Sequence, residues 1–248
     1  MNLLFAAAGA VGGAIVGSFL ATLLIRWPRG EQVISGRSRC DSCGRSLGTF
    51  ELVPILFALL ARGRCRTCGA AIAKVHLGIE LTAAALAATA LLLQPNLNGV
   101  AIAAFWLLLL APAVLDAKHF WLPDRLTLLL AAAGLLLGQF VSAAAFVDRL
   151  IGGAAGFVAL WLIASAYRRI RGRTGMGAGD PKLLGAIGLW TGWQALPLVV
   201  LLGAMAGLAF AIGQRRSRSD QMPFGALLAL GAIAWTGARA AIGPSPFL

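Results

Sequence analysis

Two aspartates stand where long apolar stretches meet polar loops. Asp116 ends the apolar run that begins near Val100, and Asp180 follows the glycine-rich loop Gly175-Met176-Gly177-Ala178-Gly179. An ionisable residue at the edge of a membrane span is a candidate functional residue. Two carboxylates around one water can split a peptide bond: the ionised one takes a proton from the water, and the protonated one polarises the carbonyl. The alternative is two unrelated carboxylates at helix ends, and Asp180 taken alone is more simply a helix N-cap.

The helix ends suggest how such a pair would share its proton. Asp116 is predicted to end a helix, where the dipole disfavours a carboxylate, and Asp180 to begin one, where the dipole favours it. Two neighbouring carboxylates do not both ionise easily. The sequence therefore predicts that the shared proton rests mainly on Asp116 and that Asp180 is the base.

All four cysteines fall in the one sizeable polar segment, as Cys40-Asp41-Ser42-Cys43 and Cys65-Arg66-Thr67-Cys68. Two Cys-x-x-Cys pairs about twenty residues apart are typical of a structural zinc site. Gly44 and Gly69 follow the pairs as turn residues. A redox pair and reduced thiols without metal are the alternatives, and the spacing favours zinc bound by Cys40, Cys43, Cys65 and Cys68.

The composition is that of a helical membrane protein. Of the 248 residues, 59% are hydrophobic and 12% charged, and the mean hydropathy is +0.85. The apolar runs are continuous, whereas a β-barrel would alternate with a period of two. The net charge of +12 is concentrated in short loops between these runs. That pattern marks cytoplasmic loops and argues against a nucleic-acid surface.

These runs predict an all-α polytopic protein of about eight transmembrane helices with both termini outside. The expected organisation is a first transmembrane helix over residues 1–25, a cytoplasmic zinc-binding segment over 26–76 and a helical core over 77–248. Asp148-Arg149 is predicted to form an external turn, and Thr191-Gly192-Trp193-Gln194 to break the long run from Leu183 to Gly213.

Further residues are expected to support the loop that carries Asp180. Gly177 and Gly179 allow a tight turn and the close approach of another segment, and Lys182 and Asp124 flank the two loops. His119 is interpreted as an interface residue rather than a ligand or base. Glu80 stands near the start of a span; it either snorkels to the interface or faces a polar cavity, and the sequence does not decide between them.

Taken together, these motifs resemble the type IV prepilin peptidases, also called type IV leader peptidases, over nearly the full chain. The segments that carry the resemblance are Gly17-Ser18-Phe19-Leu20, Pro28-Arg29-Gly30, both Cys-x-x-Cys pairs, Arg62-Gly63-Arg64-Cys65-Arg66, Glu80-Leu81-Thr82, Asp116 with Leu122-Pro123-Asp124-Arg125-Leu126-Thr127, Gly177-Ala178-Gly179-Asp180 as a GxGD motif, and Pro223-Phe224-Gly225. The chain departs from the family pattern at Asp41, at Ala21 and over Lys74-Val75-His76.

The resemblance implies an aspartic protease of the bacterial inner membrane. Such enzymes cleave the short basic leader of prepilins and pseudopilins of type IV pilus and type II secretion systems, on the cytoplasmic side. Asp116 and Asp180 match the catalytic pair, and the cysteines match the zinc-binding segment. Many members also methylate the new N-terminus with S-adenosylmethionine. The expected partners are the prepilin substrate and membrane lipid, with no nucleic acid.

Two other classes compete with this interpretation. A transporter would use carboxylates deep within its spans, whereas here the acidic residues cluster at the ends. A zinc-bearing assembly factor or methyltransferase without protease activity would not need Asp116 and Asp180 together.

Overall fold

The computed structural model describes residues 2–33, 38–40, 42–71, 73–172, 176–213 and 222–243. The regular elements in the described part of the chain are all helices, and its β-structure consists of two isolated β-bridges. Its α-helices are α1 (Asn2–Arg26), α2 (Leu56–Leu60), α3 (Lys74–Leu93), α4 (Leu97–His119), α5 (Asp124–Leu137), α6 (Phe146–Arg171), α7 (Asp180–Thr191), α8 (Leu196–Gly213) and α9 (Phe224–Ile242).

Helices occupy all eight places where the apolar pattern predicts a span. Six of the described helices, α1, α3, α4, α6, α8 and α9, are long and apolar enough to cross a membrane. This is the architecture of a multi-pass membrane protein. The other two, α5 and α7, have 14 and 12 residues. At 1.5 Å per residue, α7 is about 18 Å long, shorter than a hydrocarbon core of about 30 Å.

The chain divides into two compact units, Met1–Leu92 and Leu93–Leu248. In the first unit, α1 packs against α3 through glycines spaced four residues apart, Gly9, Gly13 and Gly17. A Cβ atom at Gly13 would collide with the backbone carbonyl of Ala83. Small residues at this spacing allow close helix packing where lipid provides no hydrophobic drive.

In the second unit, α7 is the buried helix. Ten of its twelve residues are buried, and it packs between α5 and α6. Gly152 of α6 lies against Gly188 of α7 so closely that neither position has room for a Cβ atom. Trp190 is fully buried, donates from Nε1 to the carbonyl of Leu130 at 2.8 Å, and stacks on Phe105 at 4.8 Å between ring centroids. A helix that is apolar on all sides is stable only when it is buried on all sides.

Two of the predicted boundaries differ from the structure. Asp148-Arg149 is not a turn: both residues lie in the first turn of α6, and Arg149 is buried, donating from Nη1 to the carbonyl of Gly134 at 3.0 Å. The helix α4 continues to His119, so Asp116 lies within its last turn. The predicted break after α7 is confirmed, because Gly192 adopts a φ of 83° and a 3₁₀ turn follows. Arg215 to Arg218, expected in a loop, lie outside the described residues.

Adjacent glycines of α1 test the packing of the first unit. We expect Gly13→Ala to destabilise the protein by about 1–3 kcal/mol, because the added methyl group meets the backbone of α3. Gly12→Ala is the matched control, since a Cβ atom there has nothing within 4 Å, and alanine favours helix by up to about 1 kcal/mol. Thermal unfolding in detergent should show a lower Tm for Gly13→Ala alone; equal Tm values would contradict this packing.

Candidate active site and metal centre

Asp116 is held in place by the end of its own helix and the start of α9. The helix α4 closes in a left-handed residue, Phe120, with φ of 51°, whose N–H donates to the carbonyl of Asp116 at 2.9 Å. The Asp116 side chain is 6% exposed, and its Oδ2 accepts a hydrogen bond from the N–H of Ala226 at 2.9 Å. Ala226 lies in the first turn of α9, where backbone N–H groups have no partner within the helix.

Asp180 is the first residue of α7, and Gly179 is the N-cap. The simpler interpretation of Asp180 as an N-cap is therefore wrong. Its side chain instead turns back into the glycine loop, where Oδ2 accepts a hydrogen bond from the N–H of Gly177 at 3.0 Å. The residue is only 4% exposed. Pro181 follows in the first turn, where its missing N–H has no helical partner to lose.

The two carboxylates approach each other across Gly225. Oδ2 of Asp116 and Oδ1 of Asp180 each lie 3.1 Å from the point that a Cβ atom at Gly225 would occupy, and are therefore no more than about 6 Å apart. That separation admits a single bridging water with ordinary hydrogen-bond lengths of about 3 Å to each oxygen. Two residues that are 64 positions apart in sequence thus direct their side-chain oxygens toward the same small space beside Gly225.

The helix ends do not assign the shared proton as predicted. Asp116 lies in the last turn of α4, but its carboxylate also meets the N-terminus of α9, and Asp180 lies at the N-terminus of α7. Each carboxylate is thus next to the positive end of a helix. The argument that favoured a proton on Asp116 used only its own helix, so the assignment of Asp180 as the base loses its physical basis.

A cavity of about 600 Å³ lies over this pair. It is lined by both aspartates, by the loop that follows α4, by the glycine loop and by the start of α9, including Trp121, Met176 and Phe224. Apolar side chains and polar groups contribute about equally to its lining, so the cavity offers apolar contacts together with hydrogen-bonding groups to a chain that reaches the carboxylates. His119 is exposed and does not line it.

The predicted supporting residues all lie at this cavity. Gly177 supplies the N–H that binds Asp180. Gly179 lets Leu122 approach, because a Cβ atom there would lie 2.5 Å from the Leu122 Cβ. Lys182 Nζ and Asp124 Oδ1 form an exposed salt bridge of 2.6 Å that ties the start of α7 to the start of α5. Gly175 lies outside the described residues.

The four cysteines meet in the first unit. One sulfur from each of Cys40, Cys43, Cys65 and Cys68 lies within 4.8 Å of the other three, and the Cys40 and Cys68 sulfurs are 3.9 Å apart. A tetrahedral zinc ion with Zn–S distances of about 2.3 Å requires sulfurs about 3.8 Å apart. The donor set and its spacing therefore fit zinc, and four thiolates leave no position for a catalytic water.

The two cysteine pairs are built in the same way. In each, the N–H of the following glycine, Gly44 or Gly69, donates to the carbonyl of the first cysteine, and that glycine has φ near 70°. Backbone N–H groups of Cys68 and Thr67 donate to the Cys65 sulfur and lower its pKa to about 6. The N–H groups of Cys43 and Ser42 likewise lower the pKa of Cys40. A lowered pKa of these two thiols favours the thiolate that metal binding requires. The pKa of Cys68 is instead raised to about 11: the Ala70 N–H lowers it, but desolvation and the neighbouring thiols outweigh that hydrogen bond.

An ion pair braces this segment. Arg45 donates to both carboxylate oxygens of Glu51, at 2.6 and 2.9 Å, and the Gly48 N–H donates to Glu51 at 2.8 Å. These hydrogen bonds hold the pKa of Glu51 at about 2, so the pair stays charged across the physiological pH range.

Sequence reasoning missed the role of α9. Pro223-Phe224-Gly225 stood out as a motif, yet the sequence did not indicate that Gly225 separates the carboxylates or that Ala226 binds one of them. A proline directly before an apolar run is a helix-start signal, and it places free N–H groups at this point. The sequence does not show that packing brings the N-terminus of α9 to the Asp116 carboxylate.

The fold and site define a multi-pass helical membrane protein with a buried pair of carboxylates and a cluster of four cysteines that could hold a metal ion. Comparison with known proteins gives the family. Residues 101–212 match the type IV leader peptidase family, and residues 11–94 match the bacterial peptidase A24 N-terminal domain. The chain belongs to the type IV leader peptidase family.

Several curated relatives carry the name prepilin leader peptidase/N-methyltransferase. The chain is 44% identical to the one from Burkholderia pseudomallei over 204 residues, which cover 80% of this chain and 66% of the relative. Identity to the Aeromonas hydrophila protein is 40% over 78% of this chain and 69% of the relative, and to the Pectobacterium carotovorum protein 34% over 91% of each. The chain thus spans about two thirds of the length of the first two. No solved structure gives a significant match.

We expect the purified protein to hold one zinc ion per chain. Cys65→Ser should lose it, because a serine hydroxyl is a far weaker ligand than a thiolate, and acidification should release it by protonating the thiolates. Metal analysis together with thiol alkylation measures both, and Ser42→Ala, within the first pair, is the control that should keep the ion. Protein without zinc and with all four thiols freely alkylated would contradict the assignment.

Proposed function

We propose that this protein is a membrane aspartic endopeptidase that removes the basic leader from type IV prepilins or pseudopilins, and that Asp116 and Asp180 are its catalytic pair. The supporting observation is the meeting of two buried carboxylates across Gly225, where both aspartates line one cavity. Family membership supports the same activity, since the relatives are named for it.

The geometry supports a shared-proton mechanism. Water held between Asp116 and Asp180 gives a proton to the ionised carboxylate as it attacks the scissile carbonyl, while the protonated carboxylate donates a hydrogen bond to the carbonyl oxygen. The carboxyl group that took the proton then gives it to the amine nitrogen as the C–N bond breaks. The N–H groups of Ala226 and Gly177 hold one oxygen of each carboxylate and so fix their orientation. Burial keeps bulk water away and strengthens both interactions.

The charge pattern supports an orientation in the bacterial inner membrane with the zinc segment and the active site toward the cytoplasm. Basic residues follow α1 at Arg26 and Arg29 and end α6 at Arg168, Arg169 and Arg171, as the positive-inside rule requires of cytoplasmic ends. The division into a first helix at 1–25, a zinc segment at 26–76 and a core at 77–248 is part of this proposal, with lipid around the spans.

Zinc in this proposal shapes the polar segment and takes no part in cleavage. The name of the relatives supports a second activity, methylation of the new N-terminus with S-adenosylmethionine as methyl donor. A transporter is less well supported, because a backbone N–H at the start of α9 binds Asp116 and one in the glycine loop binds Asp180. Both aspartates lie at helix ends and not in the middle of a span.

Neutralising either aspartate tests the pair. We expect Asp116→Asn and Asp180→Asn each to lower prepilin cleavage by at least about 10³-fold, because an amide does not accept the proton of the attacking water. Both variants should stay folded and zinc-loaded. Asp148→Asn, which removes a carboxylate hydrogen-bonded to Trp193 Nε1 instead, is the control. Co-expression with candidate prepilins and mass spectrometry of the mature N-terminus gives the readout; substantial cleavage by either active-site variant would refute the dyad.

A second variant tests the space between the carboxylates without changing any charge. In Gly225→Ala the new methyl group would lie 3.1 Å from one oxygen of each aspartate and 2.7 Å from Leu122 Cδ1. It occupies the position proposed for water, so cleavage should fall about 100-fold or more. Gly237→Ala, on the same helix, meets only Trp106 at 3.4 Å and should cleave normally. An active Gly225→Ala enzyme would show that the water lies elsewhere.

A further inference from the structure

A short apolar segment between the two cysteine pairs leaves most of its large side chains exposed. The segment covers residues 49–60 and consists of a 3₁₀ turn, Thr49–Leu52, and the five-residue helix α2. Six of its apolar side chains are between 40% and 83% exposed: Phe50, Leu52, Val53, Leu56, Leu59 and Leu60. Single exposed apolar side chains are common, but a cluster of this kind marks an interaction surface. Neither the zinc site nor the proposed cleavage uses these side chains.

The helix α2 has one buried and one exposed side. Phe57 is 9% exposed, and the guanidinium of Arg66 lies over its ring at 5.3 Å from the centroid. Leu56, Leu59 and Leu60 are three or four positions apart and therefore project together from the other side. The buried side fixes α2 on the cysteine-bearing segment, so the three leucines are presented outward by an anchored element.

A hydrogen bond places this segment beside the membrane helices and not beyond their ends. The N–H of Ile55, directly before α2, donates to Oε2 of Glu80 at 2.8 Å. Glu80 is the seventh residue of α3, about 9 Å along the helix from Lys74. The 20 residues of α3 extend about 30 Å, the thickness of a hydrocarbon core. On α1, Gly17 lies against Glu80, and it is about 13 Å from the end of that helix at Arg26. The turn at Ile55 therefore lies level with membrane-spanning parts of both helices.

This depth also explains the burial of Glu80. The residue is 6% exposed and faces a cavity of about 150 Å³ whose lining includes Thr22 and Arg26 of α1 and His76 of α3. The N–H of Ile55 lies outside the hydrogen bonds of α2, and Ile55 has a φ of 62°. Within a bilayer such an N–H has no water to bind and requires an acceptor from the protein. The Glu80 carboxylate is that acceptor.

We propose that residues 49–60 are embedded in one leaflet of an anionic bilayer, with their exposed apolar side chains among the acyl chains and with Arg62 and Arg64 at the phospholipid headgroups. The polar segment between α1 and α3 thus enters the membrane at its middle. In the orientation proposed above, this leaflet is the cytoplasmic one.

Two observations favour lipid over a protein partner. Phe19 of α1 and Leu81 of α3 lie at the depth of Glu80 and are each 48% exposed, so the apolar surface of the segment continues the lipid-facing surface of the spans. Arg62 and Arg64 follow α2 directly and are exposed. Apolar side chains next to arginines are typical of segments that lie in the interface of anionic membranes.

Spin labels on the full-length protein in lipid nanodiscs test the depth of the segment. The label is attached to p-acetylphenylalanine placed at Leu59, so that the cysteines are left unmodified. Accessibility to oxygen, which concentrates in lipid, is compared with accessibility to a water-soluble nickel complex. We expect position 59 to favour oxygen, as the lipid-facing position Val11 of α1 should, and Thr67, exposed within the second cysteine pair, to favour nickel.

Either of two other results at position 59 overturns the proposal. Preference for the nickel complex would place the segment in water. Low accessibility to both reagents would place it under protein, as in a contact with a second copy of the chain. The label at Leu59 should also lie deeper in bilayers that contain phosphatidylglycerol than in phosphatidylcholine alone. The double variant Arg62→Gln, Arg64→Gln should lose this difference, whereas Arg125→Gln, an exposed arginine of the second unit, should keep it. Equal depth in both lipids overturns the role of the arginines.

A measurement on the unmodified protein guards against a labelled variant that does not fold. The wild type is placed in nanodiscs whose phospholipid carries a photoreactive diazirine in its acyl chain. After illumination, mass spectrometry should find lipid adducts in residues 49–60 as well as in α1. Adducts in α1 without any in residues 49–60 overturn the proposal. Neither experiment needs a substrate, so a failure here is distinct from a failure of the protease proposal, which appears in the Asp116 and Asp180 variants.

Discussion

The second unit depends on placing two carboxylates, each less than a tenth exposed, within about 6 Å of each other. Burying one charge is costly and burying two like charges beside each other is costlier. The cost is offset by backbone N–H groups, which come from the start of α9 for Asp116 and from the glycine loop for Asp180. In the proposed mechanism, a proton shared between the carboxylates removes the remaining repulsion, and the same proton serves acid–base catalysis at the peptide bond.

The small residues of the unit serve this arrangement. The helix α7 carries Asp180 and is too short to cross a membrane, so it is stable only when enclosed by longer helices. Backbone contact between Gly152 and Gly188 brings α6 against it, and Gly179 admits Leu122 from the loop after Asp116. Gly225 then leaves open the space between the carboxylates. Each of these glycines stands where a methyl group would push apart two elements that form the site.

The candidate catalytic and metal-binding residues were predictable because their types are rare in this chain. Nine acidic residues and four cysteines in 248 positions leave few candidates, and Asp116, Asp180 and the cysteine pairs stand out by position and spacing. The positions of the helices were predictable from the hydropathy of the sequence. The contribution of α9 was not, because Gly225 acts by having no side chain and Ala226 acts through its backbone N–H. Neither effect leaves a pattern in a single sequence.

The same limit explains one wrong prediction and one incomplete argument. Arg149 was expected in a turn because it is charged, yet the carbonyl of Gly134 binds its guanidinium inside the packed helices, a contact between residues fifteen positions apart that no local pattern predicts. The proton was assigned to Asp116 from the dipole of α4 alone, whereas the neighbouring helix start that matters is supplied by α9. The sequence did not decide whether Glu80 reaches the membrane interface or faces a cavity, because the answer depends on how the preceding loop folds.

The origin of the site in three separate helices has a consequence for how the protein is made. Asp116, Asp180 and the N–H of Ala226 lie in α4, α7 and α9, and α9 is the last helix that the structure describes. During synthesis, a chain that has inserted every helix up to α8 has both aspartates but lacks the group that binds Asp116. On the proposed chemistry, a nascent or truncated chain is therefore inert, and a protease that works in the membrane into which it is being inserted does not act before its own assembly is complete.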